Sequence, residues 1–273
     1  MYELIIEPGR SERNYWRDLW RFRELFYFLA WRDILVRYKQ TAIGVAWALI
    51  RPLLTMLVFT FVFGRIAKLP ADGAAPYSIM VFAGMLPWMF FATGMSEAAN
   101  SLVSNSNLIS KVYFPRLIVP ASAIVTSLVD FLITIAFLAV LMAWHGFVPD
   151  WRVVTVPLFT LLAAAAAAGA GLWLAALNVK YRDFRYVVPF IVQFGLFLSP
   201  VGFSARTIPE QWQLLYSLNP MVGVINGFRW ALLRGEAPLD GRSVLLSCGL
   251  VILLLALGIR YFRRTERTFA DVI

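Results

Sequence analysis

The 273-residue sequence has a single cysteine, Cys248, and a single histidine, His145. One cysteine excludes an intrachain disulfide and a thiolate metal cluster, and one isolated histidine excludes the usual zinc ligand sets. The phosphate-binding pattern G-x-x-x-x-G-K-[ST] is also absent, so the chain cannot bind ATP by that loop. Glu97 and Asp130 lie in different apolar stretches, and no spacing marks them as a catalytic pair. We therefore expect no catalytic residues, no metal site and no cofactor in this chain.

Charge is scarce as well, since charged residues make up 15% of the sequence and hydrophobic residues 60%. A soluble protein of this size needs more polar residues to cover its surface, whereas a surface in lipid does not. The composition therefore predicts an all-α integral membrane protein. The net charge of +9 would suit nucleic acid, but the basic residues flank the apolar stretches instead of forming one basic domain, so we expect no nucleic-acid partner.

Six apolar stretches are long enough to cross a hydrocarbon core that is roughly 30 Å thick. They cover residues 45–66, 77–100, 117–144, 153–177, 186–203 and 244–262, which together predict a transmembrane domain over 45–262. Segment 204–242 is too polar to span, but it contains two short apolar pieces that Pro220 separates. Irregular backbone at membrane depth must be shielded by protein or line a wet cavity. We therefore predict a re-entrant helical pair between the fifth and sixth spans.

Lysine and arginine are distributed unevenly between the two sides of these spans. Seventeen of the 25 fall in residues 1–44, 101–119 and 178–186 and from Arg260 onward, whereas seven fall on the other side and Arg51 lies inside the first span. The positive-inside rule then places both termini in the cytoplasm. Residues 1–44 are predicted to be a cytoplasmic N-terminal segment and 263–273 a cytoplasmic tail.

Residues 15–38 mix aromatic and basic side chains around an apolar stretch that is far too short to cross a bilayer. This pattern is typical of an amphipathic helix that lies along the membrane surface. Trp16, Trp20, Phe26 and Trp31 are expected in the interface, with the basic side chains toward water or anionic headgroups. The helix is interpreted either as a plain anchor or as a docking site for a partner protein.

Two charged residues are predicted to lie within the spans. A charge near the bilayer centre costs roughly 2.5–3.5 kcal/mol, so Asp130 should have a partner or face a water-lined surface. Arg51 lies toward the cytoplasmic end of the first span. Three arrangements are open for it: snorkelling to the interface, pairing with Asp130, or facing a pore.

Four blocks of sequence carry a resemblance to a known family. They are YKQTAIGVAWALIRPLLTMLVFTFVFGRI (38–66), NLISKVYFPRLIVP (107–120), LNVKYRDFRYVVPFIVQ (177–193) and LSPVGFSARTIPEQWQLLYSLNPMVGVINGFRWALL (198–233). In their order over almost the whole chain they resemble the permease subunits of ABC-2 type exporters for lipid-linked polysaccharides of the O-antigen, capsule or teichoic acid kind. Arg51 departs from the pattern, since an uncharged residue such as glutamine is expected there.

The resemblance implies a homodimer in the bacterial cytoplasmic membrane, bound to two copies of a separate cytoplasmic ATPase subunit that holds ATP and Mg²⁺. It also implies a coupling helix at 105–115, although a mere connecting loop is the alternative. In the coupling helix, Tyr113 and Phe114 would form an apolar knob for the ATPase. The full set of implied coupling residues is Asn107, Lys111, Tyr113, Phe114, Pro115 and Arg116, with Arg32 and Arg37 of the surface helix.

The implied cargo is an undecaprenyl-diphosphate-linked glycan, with the diphosphate attracted to Arg51 or to the basic residues of the surface helix. Aromatic side chains suit its path, because the C–H face of a sugar stacks on an aromatic ring and weak contacts permit sliding. Packing or interface anchoring is the alternative role for each of them. The path residues expected are Trp47, Arg51, Phe59, Trp88, Phe90, Phe91 and Trp173, with Phe61 and Phe63 as further candidates. The re-entrant pair resembles the family's periplasmic gate, with Asn219, Pro220, Phe228 and Arg229.

Three other functions share some of these features. A permease for a small lipid or a drug would have the same spans but fewer aromatic residues. A membrane enzyme that acts on lipid-linked sugars would require a carboxylate or histidine cluster at one interface. A passive channel would need no contact with an ATPase.

Overall fold

The computed structural model describes residues 15–39, 46–237 and 239–269. All regular secondary structure in these ranges is helical, which confirms the predicted all-α class. A short helix α1 (Tyr15–Arg21) and α2 (Arg23–Lys39) form the N-terminal surface helix. The remaining helices are α3 (Ala46–Phe59), α4 (Tyr77–Ser104), α5 (Ser106–Lys111), α6 (Ile118–Trp144), α7 (Val156–Lys180), α8 (Phe184–Phe197), α9 (Glu210–Tyr216), α10 (Pro220–Leu232) and α11 (Gly241–Thr265).

In the part of the chain that the structure describes, five helical segments have the length and hydropathy of a membrane span. They are Ala46–Ile66, in which α3 continues as a π-helix, then α4, α6, Trp151–Lys180, in which a 3₁₀ turn precedes α7, and Gly241–Thr268, in which a 3₁₀ turn follows α11. Helix α8 is apolar but has only 14 residues, or about 21 Å. The fifth predicted span, 186–203, overlaps α8 and the turns that follow it. The helix ends before Pro200 because the residue preceding a proline disfavours helical backbone.

Helix α4 is the centre of the bundle and is almost entirely buried. Small residues allow its neighbours to come close. A Cβ on Gly171 would lie 2.7 Å from the Cβ of Ala98, and a Cβ on Gly258 would lie 2.3 Å from the carbonyl oxygen of Gly169. Glycine thus brings α7 against α4 on one side and against α11 on the other, the close packing that small residues permit between membrane helices.

Both ends of the described chain lie on one side of the bundle, here called the terminal side, because Tyr15 contacts Glu266 there. The surface helix packs along α6. Leu29 is buried against the bundle, and Phe26 packs on the same apolar cluster. Phe26 thus packs partly against protein, whereas the prediction placed it in the membrane interface. The expected aromatic face remains exposed at Trp16, Trp20 and Trp31.

On the opposite side, α9 and α10 form the element that was predicted as a re-entrant pair. Helix α9 has no buried residue, whereas α10 is buried along almost its whole length against α4, α7 and α11. Asn219 separates the two helices. Its side chain accepts a hydrogen bond from Met221 N at 3.0 Å and donates one to Ser199 Oγ at 2.9 Å, and Pro220 occupies the first helical position, which proline favours.

Candidate functional site

The coupling segment, residues 105–116, lies at the surface of the terminal side. Helix α5 forms its first half, and Val112 continues it in an extended conformation. Asn107 and Lys111 are exposed, and Tyr113 has 54% of its surface accessible. This end of the segment can therefore be reached by a partner protein.

Phe114 lies inside the bundle, whereas the prediction placed it in an exposed knob. Its side chain is 4% exposed and belongs to an apolar cluster with Leu102, Ile109 and Phe262. Burial of a phenylalanine side chain contributes about 1.5–3 kcal/mol, which holds Phe114 in the bundle, and Pro115 is buried beside it. The exposed apolar pair on the coupling segment is instead Val112 and Tyr113.

Hydrogen bonds hold the coupling segment at both ends. At its start, Arg32 Nη2 donates to Asn105 Oδ1 at 2.9 Å and also to Asp33 at 2.7 Å. At its end, Arg116 Nη1 donates to the carbonyl oxygen of Glu266. The structure therefore brings Arg32 and Arg116 together with the coupling segment, and it ties that segment to the surface helix and to the C-terminal residues.

The C-terminal residues take part in this arrangement in a way that the sequence did not predict. Tyr15 Oη donates to Glu266 Oε2 at 2.9 Å, and the Arg263 guanidinium lies 4.6 Å from the centre of the Tyr15 ring. Phe269 is fully buried, with its ring 5.3 Å from that of Phe262. Burial, followed by the Glu266 charge, raises the pKa of Tyr15, so its hydroxyl remains a donor. Phe269, a large aromatic residue among basic ones, was the sequence feature from which a buried C-terminal contact could have been predicted.

A cavity of about 490 Å³ lies between α2, α3, α4 and α6 and is here called the interhelical cavity. Arg37 donates to Asp130 and to Glu97, each at 2.5 Å, and Tyr38 Oη donates to Asp130. Burial, followed by the hydrogen bond to Asp130, raises the pKa of Tyr38. Arg37 thus lies in the cavity, and its role in coupling stays a prediction. The residues that line the interhelical cavity are Arg37, Tyr38, Trp47, Ala48, Arg51, Pro52, Leu86, Met89, Phe90, Thr93, Glu97, Ser127, Asp130, Phe131 and Thr134.

The predicted need of Asp130 for a partner is met by Arg37 and Tyr38. Among the residues that the structure describes, no hydrogen bond or ion pair joins Arg51 to Asp130. Arg51 lines the cavity instead. The snorkelling and pore-facing arrangements of Arg51 are the two that remain compatible with this position.

The predicted path residues fall into three groups. Trp47, Arg51 and Phe90 line the interhelical cavity. Trp173 is 46% exposed on α7, and Phe61 is exposed on the outer face of its helix. Phe59, Trp88 and Phe91 are buried in the apolar core, to which Phe90 also belongs, and Phe63 is partly buried against that core.

Trp88 shows why burial within the chain assigns a packing role. Its indole fills the space over Gly195, where an added Cβ would lie 2.4 Å from the ring. Trp88 thereby fits α4 against α8 and has no open face for a ligand. Phe59, Trp88 and Phe91 thus pack inside a single chain, and their expected role in lining a path stays a prediction.

Arg229 and Asp72 form the buried polar centre on the opposite side, here called the Arg229 network. Arg229 is 1% exposed and donates to the carbonyl oxygens of Val201 at 2.7 Å, Phe203 at 2.8 Å and Met80 at 3.3 Å. Its guanidinium is 3.9 Å from Asp72, which accepts a hydrogen bond from Ser204 at 2.6 Å. The network fastens α10 to α4 and to residues 198–204.

Two of the predicted gate residues, Phe228 and Arg229, lie inside this part of the bundle. Burial lowers the pKa of Arg229 to about 10, against the opposing effect of Asp72, so the guanidinium stays charged at neutral pH. Phe228 is fully buried as well. Both side chains are therefore internal anchors of α10 and do not themselves face an opening. Sequence reasoning missed Asp72 and Ser204, although an acidic residue in the short stretch between the first two spans was a usable signal.

Comparisons with known proteins agree with the helical architecture. Residues 24–233 match the family of ABC-2 type transporters. The chain is 27% identical over 259 residues to the O-antigen export system permease protein RfbA of Myxococcus xanthus, covering 94% of this chain and 98% of that protein. It is 25% identical to RfbA of Klebsiella pneumoniae, covering 89% and 92%. It is 22% identical to the polysialic acid transport protein KpsM of Escherichia coli, covering 86% and 91%.

Proposed function

Because this chain belongs to the family of ABC-2 type transporters, we propose that it is the permease subunit of a bacterial exporter that moves a lipid-linked polysaccharide across the cytoplasmic membrane. The observation that carries the proposal is the similarity to an O-antigen export permease along nearly the full length of both chains. The helical bundle and the missing phosphate-binding loop agree with it, since a permease crosses the membrane and leaves nucleotide hydrolysis to another subunit.

The proposed partner is a cytoplasmic ABC ATPase in two copies, which would bind ATP and Mg²⁺. Val112 and Tyr113 supply exposed apolar surface for it, and Lys111 lies beside them. The bonds from Arg32 to Asn105 and from Arg116 to Glu266 support a role in transmission, because they would make a push on α5 move the surface helix as well. The same helix carries Arg37 into the interhelical cavity.

The proposed orientation places the terminal side in the cytoplasm, as the excess of lysine and arginine on that side indicates. A homodimer would complete the path, since Phe61 and Trp173 lie on the chain's own exterior. The element α9–α10 would then stand at the periplasmic mouth. In this arrangement α9 offers its exposed surface for gating, and α10 is its fixed support.

The proposed cargo is a glycan on an undecaprenyl-diphosphate carrier that enters from the inner leaflet. The surface helix supports this, because its exposed aromatic side chains suit the interface and the basic residues around them attract anionic headgroups. The carrier's diphosphate would bind to this basic surface while the sugars pass through the bundle.

Depletion of the chain in its native bacterium tests the function. We expect lipid-linked polymer to accumulate on the inner face of the membrane and the surface polymer to disappear, and we expect an ATPase subunit to co-purify in equal amount. Unchanged surface polymer would contradict the proposal. Loss of export of a small lipid or drug, with polymer export intact, would assign the chain to the alternative permease class.

A further inference from the structure

The interhelical cavity has two unlike walls. One wall is aromatic and apolar and includes Trp47, which is 51% exposed, and Phe90. The other carries charged groups from α2, α3, α4 and α6. A volume of about 490 Å³ lies within the range of small-ligand sites, which combine an apolar lining with a few polar groups that orient the ligand.

The charges that line the cavity balance one another. Arg37 and Arg51 contribute two guanidinium groups, and Glu97 and Asp130 contribute two carboxylates. Arg37 is already paired with both carboxylates at 2.5 Å. A diphosphate in this space would lie beside two negative charges, and like charges in a partly desolvated site repel. The balance favours an uncharged ligand.

The polar wall nevertheless has unused hydrogen-bonding capacity of both kinds. Within the described ranges, neither Glu97 Oε2 nor the Arg51 guanidinium has a hydrogen-bonding partner. A carboxylate only accepts and a guanidinium only donates, whereas a hydroxyl does both. A ligand with neighbouring hydroxyls can thus donate to Glu97 and accept from Arg51, and hydrogen bonds to charged groups are the stronger ones. The exposed indole of Trp47 offers a flat surface for C–H groups.

We infer that the interhelical cavity is a binding site for an uncharged sugar unit of the exported glycan. The inference rests on the proposed function and adds a site within one chain, on its terminal side. It also reassigns Arg51, which binds sugar hydroxyls while the carrier's diphosphate stays on the basic surface helix. A neutral pyranose satisfies the donor, the acceptor and the aromatic wall at once, and no charged headgroup does so.

The test is protection of a cysteine in the cavity from a maleimide. Thr93 lines the cavity and is partly exposed, so Thr93→Cys is made in a Cys248→Ala background. The assembled transporter is placed in lipid nanodiscs, because maltoside detergents carry sugar headgroups of their own. The probe is the oligosaccharide released from the lipid-linked polymer that accumulates on depletion. At a probe concentration ten times its Kd, labelling should slow by about tenfold.

Matched variants and ligands separate this site from a general effect. Labelling of Asp183→Cys, on the exposed loop before α8, should not change with the probe. Adding Glu97→Gln to Thr93→Cys should raise the probe concentration needed for protection by roughly tenfold. Inorganic diphosphate and farnesyl diphosphate should protect neither cysteine.

The outcomes distinguish the site from the function. If polymer accumulates on depletion but the released oligosaccharide gives no protection, the site is wrong and the exporter function stands. If either diphosphate protects Thr93→Cys as well as the sugar does, the cavity binds the carrier's headgroup and the inference is overturned. If no polymer accumulates, the proposed function fails first and the sugar site falls with it.

Discussion

Arg37 on the terminal side and Arg229 on the opposite side are both arginines beside carboxylates, yet their surroundings differ. Arg37 is 26% exposed, pairs with two carboxylates and borders a cavity. Arg229 is 1% exposed and donates hydrogen bonds to three backbone carbonyls, and its guanidinium lies 3.9 Å from Asp72. A partly exposed ion pair can exchange partners with water or a ligand, whereas a buried arginine with all its hydrogen bonds made cannot do so without opening the core. The charged groups of the terminal side can therefore change partners, whereas those of the opposite side hold α10 in a fixed position.

The largest expected effect follows from replacing Arg229, the buried arginine of the two. Arg229→Met leaves Asp72 as an unpaired buried charge and the carbonyls of Val201 and Phe203 without a donor. We expect a loss of about 3–5 kcal/mol in the free energy of unfolding. Thermal unfolding of the purified protein measures it.

Arg206→Met is the matched control, since Arg206 is exposed on the same side and makes one long contact of 3.4 Å with a carbonyl oxygen. Its effect should be small. Adding Asp72→Asn to Arg229→Met should recover part of the loss, because the unpaired charge is removed as well. Equal unfolding temperatures for Arg229→Met and Arg206→Met would show that the Arg229 network is no anchor.

The coupling segment sharpens the comparison with two adjacent aromatic residues. Phe114→Ala empties a buried position and should cost about 3–5 kcal/mol of stability. Tyr113→Ala removes an exposed side chain, so it should leave the unfolding temperature nearly unchanged and weaken retention of the ATPase subunit by more than about tenfold. Thermal unfolding and co-purification measure the two effects.

A Phe114→Ala variant that stays stable and loses the ATPase would instead support the apolar knob of Tyr113 and Phe114 that the sequence predicts. Val112→Ala tests the revised knob independently, because Val112 is also exposed. It should behave like Tyr113→Ala, with a smaller loss of ATPase binding.

Arg37→Met tests the interhelical cavity on the terminal side. Two partly exposed ion pairs are lost, and such pairs contribute little each, so the cost in stability should be about 1–2 kcal/mol. Export should fall far more than stability does, because Arg37 orients both carboxylates of the cavity. Thermal unfolding and the amount of surface polymer, measured on the same variant, give the two values. A stability loss as large as that of Arg229→Met would mean that the two sides do not differ.

The helices were predictable because their signal is local. Long apolar stretches set the membrane helices, and the break at Pro220 marked the start of α10. The need of Asp130 for a partner was predictable, because a charge in lipid is costly, but the identity of that partner was not. The partner, Arg37, is 93 positions away, and only the packing of α2 on α6 brings them together.

Other contacts had no local signal at all. Nothing in the adjacent pair Tyr113 and Phe114 tells which ring turns inward, because the segment is too short to show a helical or strand period. The contact of Tyr15 with Glu266 joins residues 251 positions apart. It requires the surface helix and the C-terminal residues to meet at the same corner of the bundle, which is a property of the packed fold.

The smallest expected effect compares one helix cap from each side. Asp240 begins α11 on the opposite side and accepts hydrogen bonds from Arg242 N at 3.2 Å and Ser243 N at 3.0 Å, whereas the side chain of Asp183 forms no cap bond at the start of α8. Asp240→Ala should cost about 1 kcal/mol and Asp183→Ala almost nothing. The Ser243 hydroxyl, with these N–H groups, holds the pKa of Asp240 below its usual value of 3.8.

A lowered pKa in the folded protein means that this contribution is fully present above that usual value and is lost as the pH falls through the lower one. The difference in unfolding temperature between the unmodified protein and Asp240→Ala should therefore be constant near neutral pH and shrink below pH 3.8. Melting curves across that range check it. A difference that persists unchanged in acid would mean that the carboxylate charge is not what caps α11, and that the opposite side is held by packing and the Arg229 network alone.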